Sequence, residues 1–168
     1  MSDFSENDRL AEVRLKEERP QNRPHAIQQE LEVAMFDLIE ENRFRVRPRP
    51  GEPSSEGPYL LDIGMAGRML VLEVRRAADE GDGEIAEIHL SLSPLRGVIK
   101  DYFAICESYF DAVKRLPPEK IEAIDMGRRG VHEEGARTLA ERLEGKIEAD
   151  HDTYRRLFTV ICALQHRG

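Results

Sequence analysis

The chain of 168 residues has only two cysteines, Cys106 and Cys162. Two thiols so far apart do not make the disulfide framework that staples a small secreted domain. Neither belongs to a closely spaced pair of the kind that holds zinc. Both fall among apolar residues at regular spacing, so both are expected as buried, reduced thiols. No apolar run approaches the roughly 18 residues that cross a bilayer. The stretch "MSDFSENDRL" is polar and acidic, without the apolar core of a secretory signal. The five histidines are scattered, and none forms a spaced ligand pair with another. These absences lead to the expectation of a cytoplasmic protein with no membrane, no metal and no cofactor.

What is present sets the class. Hydrophobic residues at 40% are enough for a core, and charged residues at 35% leave a heavily charged exterior. The length suits a single domain over residues 1–168. Acidic residues outnumber basic ones by 33 to 25, a net charge of -8. Such a surface repels phosphate backbones, so nucleic acid is not an expected partner.

The hydrophobic pattern divides the chain. "RLAEVRLKEE" places Ala11, Val13 and Leu15 on one side and predicts a short edge strand, ended by Pro20 and Pro24. From His25 the spacing becomes helical, with Ile27, Leu31, Ala34, Met35 and Leu38 in one stripe as far as about Asn42. "RFRVRPRPGEPSSEGP" follows, and its prolines, glycines and serines predict a flexible connector over about 45–58. Its alternating Arg43, Arg45, Arg47 and Arg49 read as solvated, or as a contact for an acidic partner or a phosphate.

"YLLDIGMAGRMLVLEVRR" reads as a hairpin with its turn at Gly67, and "IAEIHLSL" as a third strand. Ile88, Leu90 and Leu92 point inward in that strand, and His89 outward. "AADEGDGE" between them is too short and too regularly acidic for a calcium loop. The C-terminal half is helical. Ser93 is expected as N-cap and Pro94 at the first helical position. Leu95, Val98, Ile99, Tyr102, Cys106, Tyr109, Phe110 and Val113 form a wide apolar face. Pro117 and Pro118 end this helix and start the next. A last helix begins near Asp150 or Asp152, with Leu157, Phe158, Ile161 and Leu164 inward. The expected fold is α+β: a small antiparallel meander packed against about four helices.

One segment stands apart. On a continuous helix through "PEKIEAIDMGRRGVHEEGARTLAERLEG", Ile121, Ile124, Leu139 and Leu143 share an arc with Asp125, Arg128 and His132. Polar groups buried there without partners cost several kcal/mol. They must pair, meet another element, line a pocket or sit at a break. Asp125 and Arg128 are three apart, and Arg128 and His132 four, so mutual contact is available. Gly127, Gly130 and Gly135 each cost about 1 kcal/mol in a helix interior and suit a bend, a turn or a close approach. "GRRG" between two helices would make an amide-lined turn for a phosphate or carboxylate. It is not a Walker A loop, lacking the lysine and hydroxyl at its end. Nor is it a zincin helix, since His132 has no histidine four residues on.

The expected ligand-binding residues are therefore Asp125, Arg128, Arg129 and His132. They point to a binding or regulatory protein whose partner is a small anion or another protein. A small enzyme using His132 as general acid or base on an anionic substrate is an alternative. No nucleophile is evident and no catalytic residue is assigned, because Cys106 sits where a thiolate is disfavoured. An interaction module without a pocket is a third reading.

Several long stretches carry a resemblance: "HLSLSPLRGVIKDYFAICESYFDAV", "KIEAIDMGRRGVHEEGARTLAERLEGKI", "FDLIEEN", "GPYLLDI" and "DTYRRLFTVICALQHRG". Together they resemble the bacterial family catalogued as uncharacterised protein family 0262, over most of the chain. Gly97 in "SPLRG" departs from the bulkier residue expected there. The resemblance implies a bacterial cytosolic protein of one compact domain. It brings no activity, cofactor or catalytic residue with it.

Overall fold

The computed structural model describes residues 4–17, 22–48, 51, 56–79 and 84–165. The elements run β1 (Leu10–Lys16), α1 (His25–Glu40), β2 (Phe44–Val46), β3 (Tyr59–Ala66), β4 (Met69–Arg76) and β5 (Glu84–Ser91). Then come α2 (Arg96–Arg115), α3 (Pro118–Arg142), β6 (Ile147–Ala149) and α4 (His151–Gln165). This is an α+β fold.

The meander forms because its strands alternate. Tyr59, Leu61 and Ile63 of β3, Leu70, Leu72 and Val74 of β4, and Ile88 and Leu90 of β5 are all buried on one face. Gly67, at φ +62°, makes the tight β3–β4 turn. β1 is an edge strand, as its alternation suggested, but it pairs with β3 in parallel, Val13 opposite Leu61 and Leu15 opposite Ile63. The sheet, in the order β1-β3-β4-β5, is therefore mixed rather than wholly antiparallel. The reason is the long crossover through α1 and β2, which returns the chain in its original direction.

The outer face of the sheet is polar. Asp62 is only 3% exposed there, yet its carboxylate accepts from Arg14 Nε and Arg75 Nη1, both at 2.9 Å. A buried carboxylate so paired keeps its charge without being orphaned.

α4 is the pillar of the helical layer, packing on α1, α2, α3 and β3. Every residue from Leu157 to Leu164 is buried. Asn42 ties the layer to the sheet: its side chain accepts from Leu10 N at 2.7 Å and donates to Leu38 O at 2.8 Å and Leu10 O at 3.1 Å. β2 and β6 form a separate antiparallel pair, with Phe44 opposite Ala149.

Three local expectations change. Residues 45 and 46 of the expected connector belong to β2, and Arg45 and Arg47 form ion pairs with Glu148 of β6. Residues 49–50 and 52–55 lie outside the described residues. Ser93 does not cap α2: Ser93–Leu95 is a 3-10 turn, and Leu95 N bonds to Leu92 O at 2.9 Å. The Ser93 hydroxyl instead accepts from Ser91 Oγ. Finally, Val113 is 53% exposed, while its neighbour Ala112 is the buried residue of that turn of α2.

Candidate functional site

α3 is one unbroken helix from Pro118 to Arg142. The three glycines do not break it, so "GRRG" offers no amide-lined turn. Two of them serve close packing instead. A Cβ on Gly135 would lie 2.4 Å from Phe158 Cζ, and one on Gly127 would lie 3.3 Å from Ile105 Cδ1. Nothing in the packing accounts for Gly130.

A continuous helix places the predicted residues on its inward arc. Arg128 donates from Nη1 to Glu30 Oε1 of α1 at 2.7 Å. It also donates from Nε and Nη2 to Asp125 Oδ1, at 3.1 and 2.9 Å. Its guanidinium lies 4.5 Å from the ring centroid of Tyr109 on α2. Burial pulls the Arg128 pKa down, but Glu30 and Asp125 outweigh it and leave the pKa raised. One side chain thus fastens α3 to α1 and α2. Arg129 reaches Asp125 Oδ2 at 3.1 Å but is 75% exposed.

His132 joins no bond with Arg128, despite the four-residue spacing. It is 8% exposed and stacks on Tyr102 of α2, centroids 5.3 Å apart. Its Nε2 is buried and has no hydrogen-bond partner among the described residues. Burial first, and the nearby charges of Arg128 and Arg155 next, lower the His132 pKa to about 4. At neutral pH the ring is therefore uncharged. It is suited to hydrogen bonding and poorly suited to donating a proton as a general acid.

Around these residues lies a cleft of about 220 Å³ between α1, α3 and α4. Arg128, Arg129, Arg155 and Arg156 line it with His132, against only two carboxylates, Glu30 and Asp37. Arg155 pairs with Asp152 at 3.4 Å, and Arg156 donates to the carbonyl of Glu41 at 2.7 Å. Glu30, Arg155 and Arg156 were not anticipated from the sequence. The available signal was the "RR" pair directly ahead of the buried run Leu157–Leu164 of α4.

Other chemistry is poorly served. Burial pushes the Cys106 thiol up to about 12 and Cys162 well above its ordinary value, so neither is a thiolate at neutral pH. Among the described residues, no three His, Cys, Asp or Glu side chains gather as metal ligands. No helix there is long and apolar enough to cross a membrane.

The profile of a family described as Uncharacterised protein family (UPF0262) matches residues 7–167. The chain belongs to this family. Among its relatives is a UPF0262 protein of Cereibacter sphaeroides strain ATCC 17025, 54% identical over 93% of this chain and 97% of the relative. Another, from Roseobacter denitrificans, is 57% identical over 84% and 87%. A UPF0262 protein of Paracoccus denitrificans is 58% identical over 82% and 83%. No solved structure matches.

Proposed function

We propose that this UPF0262 protein is a cytoplasmic binding protein that takes a small anion, a phosphate or a carboxylate, in the cleft between α1, α3 and α4. One observation carries the reading. Four guanidinium groups line one half-open cleft beside two lining carboxylates, with Asp125 and Asp152 pairing from outside its walls, within a chain whose net charge is -8. A local positive excess in an acidic protein draws anions to that spot. Arg128 is committed to Glu30 and Asp125, so it frames the cleft. Arg129, Arg155 and Arg156 would hold the ligand, and the neutral ring of His132 would orient it.

The test is a thermal-melt series with inorganic phosphate, nucleotides and small dicarboxylates. An anion at a hundred times its dissociation constant should stabilise the wild type by about 2.7 kcal/mol. Arg129→Ala/Arg156→Ala should melt near wild type without that shift. No shift with any anion, or a full shift in the double variant, would overturn the reading.

One observation favours a second reading, a protein-docking face. Val33, Phe36 and Ile39 of α1 are 54%, 66% and 42% exposed, and Val33 also borders the cleft. The arginines would then meet an acidic partner. Native mass spectrometry of protein from its own cells separates the two by the added mass, that of an anion or that of a protein.

A further inference from the structure

We propose a second binding site, for an amphipathic small molecule with an apolar body and an anionic head. It is a cleft of about 590 Å³ between the β3–β4 turn, the end of β5 and the first turns of α2. That volume lies within the range of roughly 300–1,000 Å³ typical of small-molecule pockets. It shares no lining residue with the α1–α3–α4 cleft.

The walls are apolar and adaptable. Met65 and Met69 come from the two strands of the hairpin, Leu92 from the end of the meander, and Ile99 and Phe103 from α2. Methionine is unbranched and polarisable, and it re-packs around different apolar shapes at little cost. The rim is cationic. Arg68 stands on the turn beside Gly67, and Arg96 and Lys100 stand one helical turn apart on α2. All three are exposed.

The decisive feature is what faces them. No aspartate or glutamate lines this cleft, in a chain with 33 of them. None of Arg68, Arg96 and Lys100 has an ion-pair partner among the described residues. Two other clefts differ in this respect. The cleft on the outer face of the sheet sets Lys16 against Glu17, Asp62, Glu73 and Glu87. The cleft beside β2 sets Arg45 and Arg47 against Asp8 and Glu56. In those two clefts the cations face carboxylates. Here three converge on apolar walls with no compensating charge, which is the arrangement that recognises an anion carrying an apolar tail.

A polar group at the edge fits the same ligand. The Gln165 carboxamide donates from Nε2 to Met65 Sδ at 3.0 Å. A thioether is a weak acceptor, so a carboxylate or phosphate oxygen would be a better partner for that N–H. Ser91 and Ser93 add hydroxyls at the rim.

The test is calorimetric titration of the full chain with four ten-carbon probes below their micelle concentrations: decanoate, decyl phosphate, decanol and decyltrimethylammonium. Decanoate or decyl phosphate should bind, decanol about tenfold more weakly, and the cation not measurably. The preferred anion tells carboxylate from phosphate. Arg96→Ala and Lys100→Ala should each weaken the preferred anion by about tenfold. Both residues are exposed, so the melting temperature should not change. Arg129→Ala/Arg156→Ala, in the other cleft, should leave the titration unchanged. Binding that ignores head-group charge, binding that survives Arg68→Glu/Arg96→Glu in full, uptake by anionic vesicles with no response to the monomeric probes, or no binding at all would each overturn the proposal.

Discussion

The ring of Phe158 occupies the space that a side chain at Gly135 would need, with Cζ only 2.4 Å from an ideal Cβ. Phe158 is fully buried, so the ring has nowhere to go. Gly135→Ala should therefore destabilise the protein by about 1–3 kcal/mol, the usual cost of overpacking. It should do so although alanine is the better helix former. Chemical denaturation of the variant against wild type checks the sign.

Gly130 sits in the same helix with nothing within 4 Å of its missing Cβ. Gly130→Ala should stabilise by up to about 1 kcal/mol, through helix propensity alone. The two variants, five residues apart on one helix, should move the denaturation midpoint in opposite directions. A midpoint lowered by both would show that α3 needs flexibility at Gly130.

Arg128 should prove structural. Arg128→Ala leaves Glu30 and Asp125 without their shared partner in a half-buried place. A loss of about 1–3 kcal/mol is expected, below the fully buried range because the arginine keeps some contact with water. A double-mutant cycle with Glu30→Gln should show coupling between the two. Strict additivity would mean that the ion pair contributes nothing.

His132 gives a pH signature. Its folded pKa, about 4, lies below its ordinary 6.5, so the unfolded chain takes up the proton first. The contribution is whole above about pH 6.5, shrinks as pH falls, and is lost once pH passes about 4. Its size is at most about 3 kcal/mol. Wild type should therefore lose stability between pH 6.5 and 4 more steeply than His132→Gln. Parallel stability curves would place the ring in contact with water.

Much of this architecture was legible in the sequence. The alternation of β3, β4 and β5 marks each strand and its inward face, and Pro117 and Pro118 mark the α2–α3 boundary. The helical arc of α3 also places Arg128 and His132 inward. Ser93 departs for a local reason, the 3-10 turn it opens, but the larger differences depend on groups distant in sequence. The direction of β1 follows from a crossover that no local pattern encodes. Arg128 turns to Glu30, 98 residues away, and not to His132 on its own helix. The glycines suggested a break, but the rings and side chains of α2 and α4 packed over α3 keep it whole. The cationic rim of Arg68, Arg96 and Lys100 was invisible because the fold alone brings a hairpin turn to a helix start.

The pillar role of α4 carries a consequence for biosynthesis. α1, α2 and α3 all leave the ribosome before the element that covers their inner faces. Until His151 and the residues after it emerge, α2 and α3 can pack on each other, but the faces that α4 covers in the finished fold stay open. Such chains are sticky and attract chaperones. Nascent chains arrested before α4 should be cut readily by protease, and those arrested well beyond it should resist. Early resistance would mean that the meander and the first three helices already form a stable body.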